Sequence, residues 1–169
     1  MYIKLNFFFF YRNIPEEAFK DNRIPFENGA KILDLGCGPG TWIMDVATEF
    51  PSSEFIGVDM CDVFPNNIRP ANVTFQIGNV LEGLAFEDNT FDMVNFRMFI
   101  LAFKTEEWAP VLKEIKRVLK PGGFILSREA GMLEVGNDFV KWAGKICKIL
   151  AYNFERCGYL KIYICMTCS

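Results

Sequence analysis

Ile32-Leu33-Asp34-Leu35-Gly36-Cys37-Gly38-Pro39-Gly40 is an apolar run that gives way to three glycines at alternate positions. The run has the continuous apolar character of a strand buried on both faces. Gly36, Gly38 and Gly40 let the chain turn sharply and let backbone approach a bound group with no Cβ in the way. Ile43, Val46, Ala47 and Phe50 then recur at spacings of three and four, which predicts a helix that Thr41 caps and Pro51 stops. A strand, a glycine loop and a helix N-terminus in that order present N–H groups and partial positive charge to a ligand. The spacing is G-x-G-x-G, and Thr41 stands where a dinucleotide-binding loop has its last glycine. A pyrophosphate site is thereby disfavoured, although the loop alone leaves it open.

Outward from that loop, short runs rich in Val, Ile and Phe alternate with amphipathic stretches. They predict strands over residues 31–35, 54–58, 73–77, 91–96 and 124–127. A second helix opens near Thr105 and carries Trp108, Val111, Leu112, Ile115, Val118 and Leu119 on one side. It ends at Lys120-Pro121-Gly122-Gly123, where Pro121-Gly122 favours a type II turn. The alternation predicts an α/β fold, an open, doubly wound and mainly parallel sheet of Rossmann-like architecture. Asp59 follows the Phe55-Ile56-Gly57-Val58 run and so falls at the carboxyl end of the second strand. A carboxylate there can accept hydrogen bonds from two ribose hydroxyls, whichever nucleotide carries them.

The 169 residues fit one domain, and a hydrophobic content of 51% is enough to bury a core. Residues 28–169 read as that domain, and residues 1–27 as an aromatic segment that serves as a partial lid. A net charge of −3 with no Lys/Arg run argues against nucleic acid as a partner. Lys141, Lys145, Lys148, Arg156 and Lys161 stand at helical spacing and read as the wet face of a helix. Cys37, Cys61, Cys147, Cys157, Cys165 and Cys168 follow no secretory leader, so reduced thiols and a cytoplasmic location are expected. Cys165-x-x-Cys168 is half the ligand set of a zinc site, but the chain has no histidine and no second close pair, so no metal is expected. The opening segment, with four phenylalanines at residues 7–10, carries Lys4 and stops at Arg12. It is too short to span a bilayer, so no stable membrane anchor is expected.

Residues 32–42 and 55–59, Gly78-Asn79-Val80, Phe91-Asp92-Met93-Val94 and Leu119-Lys120-Pro121-Gly122-Gly123, in that order, resemble class I S-adenosylmethionine-dependent methyltransferases. More narrowly they resemble the small methyltransferase-domain proteins found in fungi. The resemblance implies that Asp34 and the backbone of Gly36, Cys37, Gly38 and Gly40 hold the amino-acid end of S-adenosylmethionine. It gives Asp59 the ribose, Met60 one adenine face, and Asn79 with Val80 the adenine edge. A strand-end aspartate beside a helix N-terminus offers a partner to an ammonium and to a carboxylate alike. Many relatives have Asp where Asn79 stands, and Asn can accept from an adenine amino group while donating to a ring nitrogen. By the same resemblance the fourth strand is expected to deliver Asn95, a cofactor contact, with Phe96 and Arg97 toward the gap between cofactor and acceptor, where Arg97 either orients an anionic acceptor or makes a surface ion pair.

The function implied is methyl transfer from S-adenosylmethionine to a small-molecule acceptor. No catalytic residue is assigned, because the reaction depends chiefly on alignment. With no histidine in the chain, a base would be a carboxylate, tyrosine or lysine, of which Glu129 is one candidate. The family's full sheet has seven strands, the last two an antiparallel pair. Here residues 159–165 are the one strand candidate after Ser127, which implies an incomplete C-terminal strand pair and a chain shortened at both ends. The alternative readings are a cofactor-binding protein without turnover and, less favoured, an NAD-linked oxidoreductase.

Overall fold

The computed structural model describes residues 24–65, 68–99 and 102–129, and the backbone of residues 162–166. Its strands are β1 (Lys31–Leu35), β2 (Glu54–Asp59), β3 (Val73–Ile77), β4 (Phe91–Arg97), β5 (Leu119–Glu129) and β6 (Ile162–Met166). Its helices are α1 (Thr41–Glu49) and α2 (Trp108–Val118), with short 3-10 turns at Phe26–Asn28, Val80–Glu82 and Thr105–Glu107. The strands form one sheet in the order β3-β2-β1-β4-β5-β6, and every neighbouring pair is parallel. This is the expected doubly wound, Rossmann-like α/β fold. The chain walks outward from β1 to β3 and returns to the other side of β1 for β4. The point where strand order reverses, at which such sheets bind ligands, therefore lies between β1 and β4.

Period-two alternation sends successive side chains to opposite faces of the sheet, and each face carries its own core. On one face Ile32, Phe55, Val73, Met93, Phe124 and Leu126 pack with Trp42, Ile43, Val46 and Ala47 of α1. On the other, Leu33, Leu35, Ile56, Val58, Val94, Phe96 and Ile125 pack with Trp108, Val111, Leu112, Ile115 and Val118 of α2. Burying each large apolar side chain contributes at most about 1.5–3 kcal/mol, so α2 is held mainly by its stripe. Arg117, on the wet side of α2, donates to Glu114 at 2.7 Å, to Asp88 at 2.8 Å, and to the carbonyls of Phe86 at 2.7 Å and Leu84 at 3.0 Å. It thus ties α2 to the segment that crosses the sheet between β3 and β4.

Several boundaries differ from the sequence expectation. Gly40, at φ 74°, is the N-cap of α1 and gives no side-chain cap bond, while Thr41 is the first helical residue. β5 starts at Leu119 rather than 124, because Phe91 pairs with Leu119 and Met93 with Phe124, and residues 120–123 bulge out between them. Gly122, at φ 79°, supplies the left-handed position that the bulge requires. The C-terminal candidate at 159–165 becomes β6, which lies parallel against β5 and is the only strand after β5 among the described residues. Of the aromatic segment 1–27, only its last four residues are described, and there Ile24 and Phe26 belong to the α1-side core. The phenylalanines at 7–10 and the basic residues from Lys141 to Lys161 lie outside the described residues. Among the described residues no helix is long and apolar enough to cross a membrane.

Candidate functional site

The carboxyl ends of β1, β2 and β4 meet around the loop that follows β1. Strand register sets Phe75, Gly57, Asp34 and Asn95 side by side on the α1 face. Asp34 is 1% exposed and Asn95 fully buried. Asn95 Nδ2 donates to Asp34 Oδ1 at 2.6 Å, whereas Asp34 Oδ2 and Asn95 Oδ1 have no hydrogen-bond partner. A buried acceptor without a donor costs about 1–3 kcal/mol, so two side by side mark a place built to receive donors. Burial pushes the Asp34 carboxyl up from 3.8 to about 7; the Arg97 charge and the Asn95 bond oppose that rise, and the Asp59 charge adds to it. Burial also pushes the Cys37 thiol up, with the charges of Asp34 and Asp59 adding. A thiol so held is protonated near neutrality and is no nucleophile.

All three loop glycines are left-handed, Gly36 at φ 62°, Gly38 at 54° and Gly40 at 74°, a conformation in which any other residue is strained. Their surroundings differ. A Cβ on Gly36 would lie 2.4 Å from the Phe99 ring and one on Gly40 2.4 Å from the Phe75 ring, but one on Gly38 would meet nothing within 4 Å. Gly36 and Gly40 make room for aromatic rings of the protein, whereas at Gly38 the place a Cβ would take is open. The loop amides are also committed internally. Cys37 N–H donates to Val58 O at 3.1 Å, Gly40 N–H to Cys37 O at 3.0 Å, and Gly38 N–H to Asp59 Oδ2 at 2.8 Å. The donors that helix geometry leaves without an intrahelical acceptor are those of the first turn of α1, at Thr41, Trp42 and Ile43.

Asp59 sits at the end of β2 as expected and ties two loops together, because its other oxygen accepts Cys61 N–H at 3.0 Å. Each carboxylate oxygen keeps a further lone pair for a ligand hydroxyl. Met60 beside it is 67% exposed. Asn79 is occupied locally: its Oδ1 accepts Leu81 N–H at 3.0 Å and its Nδ2 donates to Glu82 Oε1 at 2.9 Å, which caps the 3-10 turn. Val80 buries its side chain in the α2-side core, which leaves its backbone amide, the first of that turn, as its polar contribution. Arg97, at the end of β4, lays its guanidinium over the ring of Trp42, with Cζ 5.6 Å from the centroid. Met98 follows it with a left-handed φ of 62°, a strained geometry for a residue with a side chain. Asp34, Gly38, Asp59, Asn95 and Arg97 are thus brought around one mouth, whereas Asn79 serves its own turn. The side chain of Glu129 and those of Cys165 and Cys168 lie outside the described residues. Phe75 and Phe99 read in the sequence as ordinary core aromatics, and only the fold brings them to the loop, Phe75 from β3 and Phe99 from beyond the end of β4; Trp42, adjacent to the loop in sequence, likewise reads as a core residue of α1.

The model of the methyltransferase domain family matches residues 32–123, over half of the chain, and the chain belongs to that family. A probable methyltransferase, ltbC, of Aspergillus luteorubrus is 36% identical over 112 residues, 58% of this chain and 39% of the relative. An uncharacterized methyltransferase of Schizosaccharomyces pombe is 34% identical over 116 residues, 61% of this chain and 41% of the relative. The chain therefore spans about two fifths of the length of these curated relatives. Among solved structures, a phosphoethanolamine N-methyltransferase 2 of Haemonchus contortus, determined with phosphomonomethylethanolamine and S-adenosylhomocysteine, is 26% identical. It superposes with a TM-score of 0.53 over 78% of this chain and 32% of its own.

Proposed function

We propose that this methyltransferase domain binds S-adenosylmethionine outside the carboxyl ends of β1, β2 and β4, and that its methyl group passes to a small-molecule acceptor. The observation that carries the reading is the buried Asp34–Asn95 pair, which holds two unpartnered acceptor oxygens beneath a left-handed glycine loop. An ammonium with three N–H donors is the group such a pair lacks. The open space above Gly38 lets a ligand lie against backbone, and the solved relative in the same fold carries S-adenosylhomocysteine. Asp34 and Asn95 hold the amino-acid end, beside the backbone of Gly36, Cys37, Gly38 and Gly40. Asp59 takes the ribose hydroxyls, Met60 covers an adenine face, and the Asn79-Val80 segment meets the adenine edge through the Val80 amide.

S-adenosylmethionine supplies a methyl carbon activated by its sulfonium, which a nucleophile takes by in-line displacement. The chain's own contribution is to fix the two ends of the ligand so that the methyl faces the mouth. A small, uncharged or apolar acceptor suits that mouth, where Met60, Ile77, Leu81 and Met98 are exposed and the net charge of −3 gathers no phosphates. Calorimetric titration with S-adenosylmethionine, S-adenosylhomocysteine and NADH tests the reading. The first two are expected to bind and NADH to give no heat; binding of NADH alone overturns it. Transfer of labelled methyl to a panel of small acceptors then separates turnover from binding alone.

A further inference from the structure

β3 is an edge of the sheet. Its ladder with β2 uses the peptide groups of residues 72, 74, 76 and 78, since Phe55 N–H donates to Asn72 O and Gly78 N–H to Asp59 O. In a parallel ladder alternate residues bond to the same side, so the peptide groups of Val73, Phe75 and Ile77 point outward. Val73 N–H turns back to Pro70 O; the Val73 carbonyl and both groups of Phe75 and Ile77 have no partner among the described residues. Natural edges are ordinarily blunted by a lysine, a proline or a bulge, and Val73-Thr74-Phe75-Gln76-Ile77 has none of these. No helix covers the strand from the β2–β3 connection among the described residues. Ile77 is 64% exposed, and Ile68 on the approach to the strand 85%.

The strand is complementary to itself. Turned antiparallel about Phe75, two copies set Phe75 against Phe75, Val73 against Ile77 and Thr74 against Gln76. Apolar side chains then meet on the α1 face, which Val73 and Phe75 share, and polar ones on the other. Phe75 N–H reaches Phe75 C=O, and Ile77 N–H reaches Val73 C=O, each in both directions. The flanks agree in charge. Arg69 before the strand and Glu82 after it are exposed, and neither has an ion pair among the described residues. Antiparallel pairing brings the Arg69 end of each copy to the Glu82 end of the other, and with them the exposed Ile68 and Leu81.

We propose that a second copy of this chain docks on β3, edge to edge and antiparallel about Phe75, so that two sheets become one and Arg69 of each copy lies beside Glu82 of the other. A strand this short makes a small interface and hence a weak, concentration-dependent dimer. Because Ile77 ends β3 at the mouth, the Ile68 turn of the second copy runs along its rim. The pairing does not depend on which cofactor the site takes.

Sedimentation velocity on the full chain under reducing conditions, from about 5 to about 300 μM, tests the pairing. The wild type is expected to move from one copy toward two as its concentration rises. Arg69→Glu and Glu82→Arg, which set like charges at both contacts, are each expected to weaken self-association about tenfold. An equimolar mixture of the two variants is expected to recover the dimer, because each contact then pairs opposite charges. Ile77→Pro removes an outward donor and leaves the ladder with β2 intact. It is expected to stay a single copy at every concentration, with the circular dichroism spectrum of the wild type. Should it not fold, Ile77→Lys is expected to weaken the dimer at least tenfold. A wild type that stays a single copy throughout overturns the proposal and leaves the edge to a strand of another protein. Self-association that the charge and edge variants leave unchanged, or a variant mixture that does not recover the dimer, overturns it too.

Discussion

Replacing Asp34 by Asn is expected to make the fold more stable at pH 8 while weakening the ligand. The Asp34 carboxyl is held at about 7 against 3.8 unperturbed, with burial as the main cause. In the folded state it therefore keeps a proton over a range in which the unfolded chain has released it. The stability it allows is full below pH 4 and is lost as the pH rises through about 7. Between pH 5 and pH 8 the loss amounts to about 3 kcal/mol at 1.36 kcal/mol per unit, or about 5–10 °C in Tm for a chain of this size. The window is unusually clean, because the chain has no histidine; ordinary carboxylates titrate below it and thiols above. Asn keeps the shape and carries no charge, so the urea unfolding free energy of Asp34→Asn should lose that slope. The gap between variant and wild type should widen by about 3 kcal/mol from pH 5 to pH 8. In the same variant S-adenosylhomocysteine should bind more than tenfold more weakly, because its ammonium loses the buried countercharge. Parallel pH profiles for the two proteins would refute the reasoning, since they would mean that Asp34 is solvated enough to ionise normally.

Alanine at Gly40, where a Cβ would strike the Phe75 ring at 2.4 Å in a left-handed backbone, should cost about 2–4 kcal/mol in urea unfolding. Alanine at Gly38, equally left-handed but in open space, should cost only about 1 kcal/mol and yet reduce S-adenosylhomocysteine affinity more than tenfold by calorimetry. Asp59→Ala should also weaken S-adenosylhomocysteine more than tenfold; an unchanged affinity would remove Asp59 from the site. Arg117→Met, which releases two carboxylates and two carbonyls with a side chain 32% exposed, should cost about 1–2 kcal/mol. It lies away from the mouth, so S-adenosylhomocysteine affinity should stay within twofold.

The contrast between fold and site shows where sequence reasoning has purchase. Strand placement was legible because buried strands are largely apolar, and 31–35, 54–58 and 91–96 are, each with one or two polar residues, while 73–77 alternates apolar with polar residues as an edge strand does. The stripe of α2 was legible for the matching reason, since its buried residues recur with helical spacing. The boundaries that moved did so through pairing partners. Leu119 fits the helical stripe, but Phe91 takes it as a strand neighbour, and neither residue announces the other across the intervening chain. Asp59 could be placed because it needs only to end a strand. The local bonds of Asn79 were not legible, because a side chain capping its own turn looks the same in sequence as one aimed at an adenine.

The glycine loop carries the lesson furthest. From spacing alone Gly36, Gly38 and Gly40 are equivalent, three places of bare backbone beside a ligand site. The fold separates them: Phe99 from beyond β4 fills the space at Gly36, Phe75 from β3 fills it at Gly40, and only Gly38 is left open. Gly57 belongs with the first two, since a Cβ there would lie 2.7 Å from Phe75 and 2.9 Å from the Cys37 sulfur. Two aromatic rings thus pack against the loop at Gly36 and Gly40, and of the three glycines only Gly38 has open space where a Cβ would stand. The same long-range contacts set the charge pattern. Asn95 from β4 buries and pairs Asp34, and Arg97 two residues on reaches Trp42. These ring contacts, with the bonds made by the Cys37, Gly38 and Gly40 amides, set the loop's conformation from the protein's own residues. An energetic cost is held in the two unpartnered oxygens beneath it, and a ligand cation relieves that cost by supplying the missing donors.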